Sequence, residues 1–447
     1  MVKMRDNGIE WIGEIPEDWS VTKLKYEFDF GKGLPITKDN LIEIGLPVVS
    51  YGQIHSKLNN GTSINPVLLR YVKPYYQFTN PQSRVKKGDF IFADTSEDLE
   101  GCGNAVLKCD DSDLFAGYHS IIMHSHKPEY AKYFSYLFLT DEWRNQLRSR
   151  VYGVKVLSVT QTIFKFTSII LPPPETQKRI ADFLDEKCAK IDGLKNDIQK
   201  QIETLEQYKK SVITEAVTKG INPNAKMKES GIEWIGEIPD HWEIKPLGHI
   251  LNERIEKNYP VKTDVILSLS IDIGITLYSE KTTNLDRYKD DITGYKLAHE
   301  GDLVLNSMNV ISGAEGISTY FGCVSPVYYV LYDNDYENHY IARFYDYYFK
   351  TLTLRKYLFS IGKGILAIDR GDGRVNTCRL KVSNYDLKHL HFPMPQKNEI
   401  DTIVNYLDKK CSSIESIIST KKQQLEKLEE YKKSLIFEYV TGKKEIV

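Results

Sequence analysis

One short stretch occurs twice in this chain, and the distance between its copies constrains nearly everything else. Asn7–Trp19 reads NGIEWIGEIPEDW, and 223 residues later Ser230–Trp242 reads SGIEWIGEIPDHW. The same offset separates Leu-Asp-x-Lys-Cys at Leu184–Cys188 from its copy at Leu407–Cys411, and Tyr-Lys-Lys-Ser at Tyr208 from its copy at Tyr431. Twice that period falls one residue short of the 447-residue chain, so the protein is two tandem units. Each unit opens on the Trp-Ile-Gly motif, continues through a variable body (20–171 or 243–392), and ends in a long helical stretch.

The helical stretches carry heptads. Glu175–Lys219 contains no proline and one glycine, Gly193, while Leu184, Ile191, Ile198, Leu205 and Val212 recur every seven residues. Asn398–Thr441 repeats the row with Leu407, Ile414, Leu428 and Leu435, Lys421 being its one polar member. Ile180, Leu194 and Tyr208, with Ile417 and Tyr431 in the second copy, complete an expected a/d seam. At ~1.5 Å per residue each helix would run roughly 60 Å, the length of a spacer. Tandem duplication starts each helix at its own body and ends it near the other, so the two are expected to pack antiparallel. Gly220-Ile221-Asn222-Pro223 leads from the first helix straight into the second opening motif. Cyclic closure would put Asn7–Trp19 in the same place after the second helix, near Gly442. The expected boundaries are 1–171, first body; 172–219, first helical spacer; 220–392, linker and second body; and 393–447, second spacer and tail.

The bodies share little beyond fragments such as Lys87-Gly88-Asp89-Phe90 against Glu300-Gly301-Asp302-Leu303. Gly45–Ile54 and Asp89–Asp94 read as strands and Tyr130–Leu147 as an amphipathic helix. In the second body Asp264–Ile275 and Asp302–Asn306 read as strands and Tyr340–Leu358 as a helix rich in Tyr and Phe. Each body is expected to be a compact α+β domain. A hydrophobic content of 41% supports real cores, and a net charge of −2 argues against a wholesale polycation. No run reaches the length of a membrane span and no signal peptide is visible, so a cytoplasmic chain without membrane contact is expected. The six cysteines form no C-x-x-C pair, which indicates neither a disulfide framework nor a zinc site.

Catalytic signatures are missing: no G-x-x-x-x-G-K-[ST], H-E-x-x-H, G-x-S-x-G, G-x-G-x-x-G or [ND]-P-P-Y occurs. Pro239-Asp240 followed by Glu243 and Lys245 imitates a metal nuclease, but the spacing is too short to place the acids on separate strands. The matching place in the first unit has no second acid and no lysine. Basic residues are more telling. Arg144–Leu171 holds five (Arg144, Arg148, Arg150, Lys155 and Lys165) and no acid, and Arg343–Lys388 holds ten against four acids. Clusters of this kind neutralise phosphates, and arginine can read guanine edges. Gly362-Lys363-Gly364 and Arg370-Gly371-Asp372-Gly373-Arg374 suggest glycine loops that approach a phosphate, whereas Gly31-Lys32-Gly33 and Gly101-Cys102-Gly103-Asn104 read as ordinary turns rather than such loops. The candidate DNA-binding residues are Lys32, Arg84, Arg148, Arg150, Lys155, Arg355, Lys363, Arg370, Arg374 and Arg379. The four tryptophans of the opening motifs read as packing anchors.

The W-I-G-E-I-P-x-x-W opening, the G-D-[FL] strand and the proline-led helix starting Q-x-x-I-x-x-F-L-D (Gln177–Asp185) resemble the specificity (S) subunits of type I restriction–modification systems across the whole chain. Asn306-Ser307-Met308-Asn309 and Val324–Tyr329 strengthen the likeness in the second body, and the first body has no equivalent of either. The resemblance implies an α+β fold of two target recognition domains separated by an antiparallel coiled coil, pseudo-twofold and cyclically closed. Each domain would read one half of a bipartite double-stranded DNA site. The coiled coil would set the spacing and dock two methyltransferase (M) subunits, through which restriction (R) subunits join. The chain itself would be non-catalytic and hold no cofactor, with S-adenosylmethionine, ATP and Mg²⁺ expected in the partner subunits. Two rival classes stay open at this point: a coiled-coil scaffold that binds only protein, and a nuclease or methyltransferase with degenerate motifs.

Overall fold

A computed structural model describes all residues except 1–2, 7, 10, 154, 272, 282–290, 335–337, 366–378 and 447. The chain divides into two compact units: Met1–Ile198 with Gln423–Val447, and Gln199–Lys422. Each unit therefore takes helix from both ends of the duplicated sequence.

In the first unit the first long helix (Pro174–Lys219) and the second (Lys397–Val440) pair antiparallel. Lys195 meets Glu429, and Lys432 Nζ donates to both Asp192 oxygens at 2.8 Å, so three residues back on one helix match three forward on the other. In the second unit Lys209 meets Glu415 in the same register. The row read from the sequence faces inward: Leu184, Ile191, Val212, Leu407, Ile414 and Leu435 are buried, and Ile198, Leu205 and Leu428 are half-buried.

The second row is a correction. Leu194, Tyr208, Ile417 and Tyr431 are exposed, between 46% and 57%. The seam is completed instead by Cys188, Ile202, Cys411 and Ile418, with Lys195, Lys209 and Lys432 in line. A lysine can occupy a seam because its methylene stem covers apolar surface while the ammonium reaches out to an acid on the facing helix.

The first body is built on an antiparallel sheet. Its strands in chain order are β1 (Phe28–Lys32), β2 (Leu46–Val49), β3 (Arg70–Val72), β4 (Phe90–Ala93), β5 (Ala105–Leu107), β6 (Phe115–Ala116) and β7 (Ser120–Ser125). The main sheet runs β1-β7-β4-β5, and a second layer runs β6-β2-β3 with β2 parallel to β6. The expected strand at Gly45–Ile54 ends at Val49. Ser50 starts a helical turn there, its N–H donating to the Gln53 side chain at 3.1 Å. One face of the main sheet buries Phe28, Phe90 and Phe92 against α1 (Ala131–Leu137), α2 (Asp141–Arg148) and the helix seam. The other face packs Ile91, Val106 and Ile122 against the second layer.

The second body follows the same plan with β8 (Asn252–Glu253), β9 (Leu267–Ser270), β10 (Gly274–Leu277), β11 (Lys296–Ala298), β12 (Leu303–Asn306), β13 (Glu315–Ile317), β14 (Gly322–Val324) and β15 (Tyr328–Tyr332). Its main sheet, β8-β15-β12-β13, matches the first in order, and α3 (Tyr340–Phe349) and α4 (Leu352–Ile361) match α1 and α2. Each stretch expected as one helix is two, broken at Thr140 or at Thr351; the Thr140 hydroxyl accepts from Trp143 N–H as an N-cap. Asp264–Ile275 is likewise a hairpin, turning between β9 and β10 at Gly274, φ +79°.

The Lys-Gly-Asp and Glu-Gly-Asp fragments have one job. Gly88 and Gly301 take left-handed φ, and the following Asp89 or Asp302 carboxylate accepts the N–H of Lys86 or His299 at 2.8 Å, closing the turn into the central strand.

Closure at the chain ends is visible inside the first unit. Lys443 Nζ donates to Glu14 O at 2.6 Å, Arg179 to Ile446 O at 2.9 Å, and the buried Tyr133 hydroxyl to Val440 O at 2.9 Å. Gly442 sits at φ +72°, where a Cβ would lie 2.5 Å from Pro16 and 3.1 Å from Trp19. In the second unit Trp242 Nε1 donates to Glu399 at 3.0 Å beside Gly220, φ +75°. Trp19 and Trp242 are buried anchors, as their motif suggests.

Candidate nucleic-acid interface

Each body is bolted to its long helix by the same tyrosine–aspartate pair, joined by a cation. The Tyr136 hydroxyl donates to Asp185 Oδ1 at 2.5 Å, and Lys132 Nζ lies 3.2 Å from the same carboxylate. In the second unit Tyr347 donates to Asp408 Oδ1 at 2.8 Å, and Arg343 pairs with the same group. Burial, with the aspartate beside it, raises the Tyr136 hydroxyl far above its usual range, so it stays a donor at all working pH. This gives the Asp of the repeated Leu-Asp-x-Lys-Cys sequence its role: it holds the body on the spacer.

A second shared device lies at the α1–α2 and α3–α4 junctions. Arg144 Nε donates to Phe138 O and its Nη1 to Asn104 Oδ1, both at 2.8 Å. Arg355 Nε donates to Phe349 O at 3.3 Å and its Nη2 to Glu315 Oε1 at 2.7 Å. Beneath each lies a left-handed glycine, Gly103 or Gly313; a Cβ on Gly313 would come within 2.5 Å of the guanidinium. Burial, then the neighbouring Arg148, pushes Arg144 down to about 10. Burial pushes Glu315 up to about 7 even with Arg355 beside it.

The ten sequence candidates therefore separate. Arg355 holds this clamp. Arg148 is 17% exposed and holds a loop, donating to Asp141 Oδ1 at 2.9 Å, Leu99 O at 2.9 Å and Glu100 O at 3.2 Å. Arg84 is exposed and paired with Asp113, and Lys363 is 80% exposed, 3.6 Å from Asp386. Lys32, Arg150 and Lys155 are exposed, with no ion pair among the described residues. Arg370 and Arg374 with their glycine loop lie outside the described residues; Arg379 is described only as backbone in the strand Arg379–Lys381.

Of the other glycine runs, two lie largely in strands and one is a turn. Gly31 and Lys32 belong to β1, and a Cβ on Gly33 would sit 1.9 Å from Gly117 O. Lys363–Ile365 is a strand paired with Arg379–Lys381. Gly101–Asn104 is the turn beneath the Arg144 clamp.

A cleft of about 1740 Å³ opens in the first unit between the body and the helix pair. Lys57, Arg144, Arg148, Lys195, Lys432 and Lys433 line it, opposed by Glu97, Asp98, Glu100, Asp141, Glu142, Asp192 and Glu429. Balanced charge of this kind offers a polyanion no net attraction, so the cleft is a poor DNA seat.

The chain is similar to several known proteins. The type I restriction modification DNA specificity domain matches residues 16–204. A Methanocaldococcus jannaschii protein, provisionally named the MjaX type I restriction enzyme specificity subunit, is 24% identical over 440 residues, spanning 97% of this chain and 95% of its own. Residues 16–204 therefore carry a type I restriction–modification DNA specificity domain. The MjaVIII specificity subunit of the same organism is 36% identical over 118 residues, covering 26% of each chain. Among solved structures, a chain from a type I restriction–modification system superposes with a TM-score of 0.66 at 16% identity, covering 95% of this chain and 98% of that one. The specificity subunit of Thermoanaerobacter tengcongensis gives 0.51 at 15% identity, covering 96% and 98%. Both show the same fold. The chain has, among its described residues, no helix long and apolar enough to cross a membrane. The tyrosine of the latch and the arginine of the clamp escaped the sequence pattern because their copies are 211 residues apart (Tyr136 and Tyr347, Arg144 and Arg355), not 223.

Proposed function

We propose that each body reads one half of a split duplex DNA site and that the two long helices hold the halves at a set separation. The observation that supports this is the same frame built twice under unlike outer connections. Sheet order, helix pair, aspartate latch and arginine clamp recur, while the connection between the first strands of the second layer runs from Ser50 to Leu69 in one body and from Ile271 to Ile273 in the other. Identical readers would need no such difference, and a geometry fixed in the protein fixes spacing on DNA.

The exposed flank of the helices supports methyltransferase docking. Leu194 and Tyr431 are exposed on the helices of the first unit, and Tyr208 and Ile417 on those of the second. Two like apolar seats suit two copies of one partner, through which restriction subunits would join. S-adenosylmethionine, ATP and Mg²⁺ are assigned to those partners. A methyltransferase must flip its target base out of the duplex, and the specificity subunit would hold the duplex while it does so. The test is to sequence the methylome of cells carrying this chain with its methyltransferase: a bipartite, asymmetric motif is expected, and a continuous or palindromic motif would overturn the reading.

A further inference from the structure

The first body contains a small core that the second body does not match among its described residues. Leu34, Ile36, Val48, Val72, Tyr76 and Phe115 form it on the outer layer, away from the helix pair. The segments that wrap it are basic. From Lys32 to Lys87 there are eight Lys and Arg and two acids, Asp39 and Glu43. Arg84 and Lys87 are answered by Asp113 and Asp111 of a neighbouring loop. Lys32, Lys38, Arg70 and Lys73 are exposed and make no ion pair among the described residues. Apolar side chains stand among them: Phe78 is 78% exposed, Val67 70%, and Tyr75 47% with its ring stacked on Tyr76 at 4.2 Å.

We propose that this lobe is the surface with which the first body meets duplex DNA. Lys38 and Lys73 would contact phosphates, and Tyr75 and Phe78 would make apolar contact in a groove. The inference rests on the reading of the body as a half-site reader and adds which part of it reads. The physical argument has two parts. The frame common to both bodies cannot distinguish two different half-sites, so the reader must lie in what differs. Of the two basic stretches picked out in the first body's sequence and structure, the one after α1 gives Arg144 and Arg148 to contacts within the frame and leaves Arg150, Lys155 and Lys165 exposed. The lobe, in the layer where the bodies differ, leaves Lys32, Lys38 and Lys73 without an ion pair beside the exposed Tyr75 and Phe78, while Arg70 donates to Val67 O and Leu69 O. Unmatched cations release counterions when they meet phosphate, and exposed aromatic or aliphatic side chains contact thymine methyls or wedge between base steps.

The experiment uses the full chain assembled with its methyltransferase partner. Lys38→Ala, Lys73→Ala, Tyr75→Ala and Phe78→Ala are compared by affinity against salt on a duplex carrying the wild-type methylated motif, and by methylome sequencing. Each lysine variant should lower the salt slope by about one unit and weaken all sequences alike. Phe78→Ala or Tyr75→Ala should weaken the wild-type duplex roughly tenfold and relax one position of the first half-site alone. Unchanged slope, affinity and motif in all four would overturn the inference. So would loss of methyltransferase assembly with DNA affinity intact, which would make the lobe a protein-docking face. If the wild-type motif is bipartite, such a failure touches the lobe alone; if it is not, the half-site reading itself fails.

Discussion

The two bodies differ least where they touch the helices and most where they are farthest from them. On the helix side, the Tyr136–Asp185 and Tyr347–Asp408 latches are the same interaction, and Leu184 and Leu407 fill the same buried place. On the outer layer one body has a separate apolar core with long basic connections, and the other a tight hairpin turned at Gly274. Attachment to a common spacer tolerates few solutions, because seam, latch and opening motif must all fit one helix pair. Recognition surfaces have no such partner within the chain and are free to diverge. A duplicated frame with unlike outer layers is therefore what a two-part reader requires.

The largest effects should come from the shared frame and should be equal in its two copies. Leu184→Ala and Leu407→Ala each empty a fully buried seam position and should cost about 2–5 kcal/mol, measured as local opening by hydrogen exchange in the affected unit. A large cost in one copy and none in the other would break the equivalence. Asp185→Ala and Asp408→Ala come next, each leaving a partly buried tyrosine hydroxyl and a cation without their acceptor, at about 1–3 kcal/mol.

A pH experiment should separate the copies. The Glu315 carboxyl titrates at about 7 in the folded state, above its ordinary value, so folding is favoured by its proton. That contribution is complete below the unfolded pKa and is lost as pH rises through about 7. Glu315→Gln should flatten this loss in the second unit. The first unit, whose clamp uses the neutral Asn104, should show no such slope from its own clamp. Opening free energies against pH, read by hydrogen exchange, check it. The smallest stability effects belong to the exposed flank: Leu194→Ala and Tyr431→Ala should change stability by no more than about 0.5 kcal/mol while weakening assembly with the methyltransferase.

Much of the frame was legible in the sequence. A heptad row, a fixed offset and a Gly-Asp turn are local patterns, and local patterns survive divergence. The second seam row was misread because Lys195, Lys209 and Lys432 count as polar in any hydrophobic pattern, whereas their stems are covered and their ammonium groups answered by Glu429, Glu415 and Asp192. The exposed Leu194 and Tyr208 filled the gap in the pattern instead. Sequence also counts charge without its partners: Arg148 and Arg355, candidates on that count, are each paired with a protein carboxylate. Thr140 and Thr351 did carry a readable helix start, but the apolar run across each break concealed it. The outer core of the first body draws on Leu34, Val72 and Phe115, separated widely in sequence and without period, so only the fold brings them together.

The central claim is that the bodies read and the frame spaces. Its most direct test replaces residues 20–171 with the corresponding body of another family member, in a chain assembled with its own methyltransferase, followed by methylome sequencing. One half of the methylated motif should change, while the other half and the number of base pairs between them stay as they were. If the swap changes both halves together, or alters the spacing with the helices untouched, the account is contradicted.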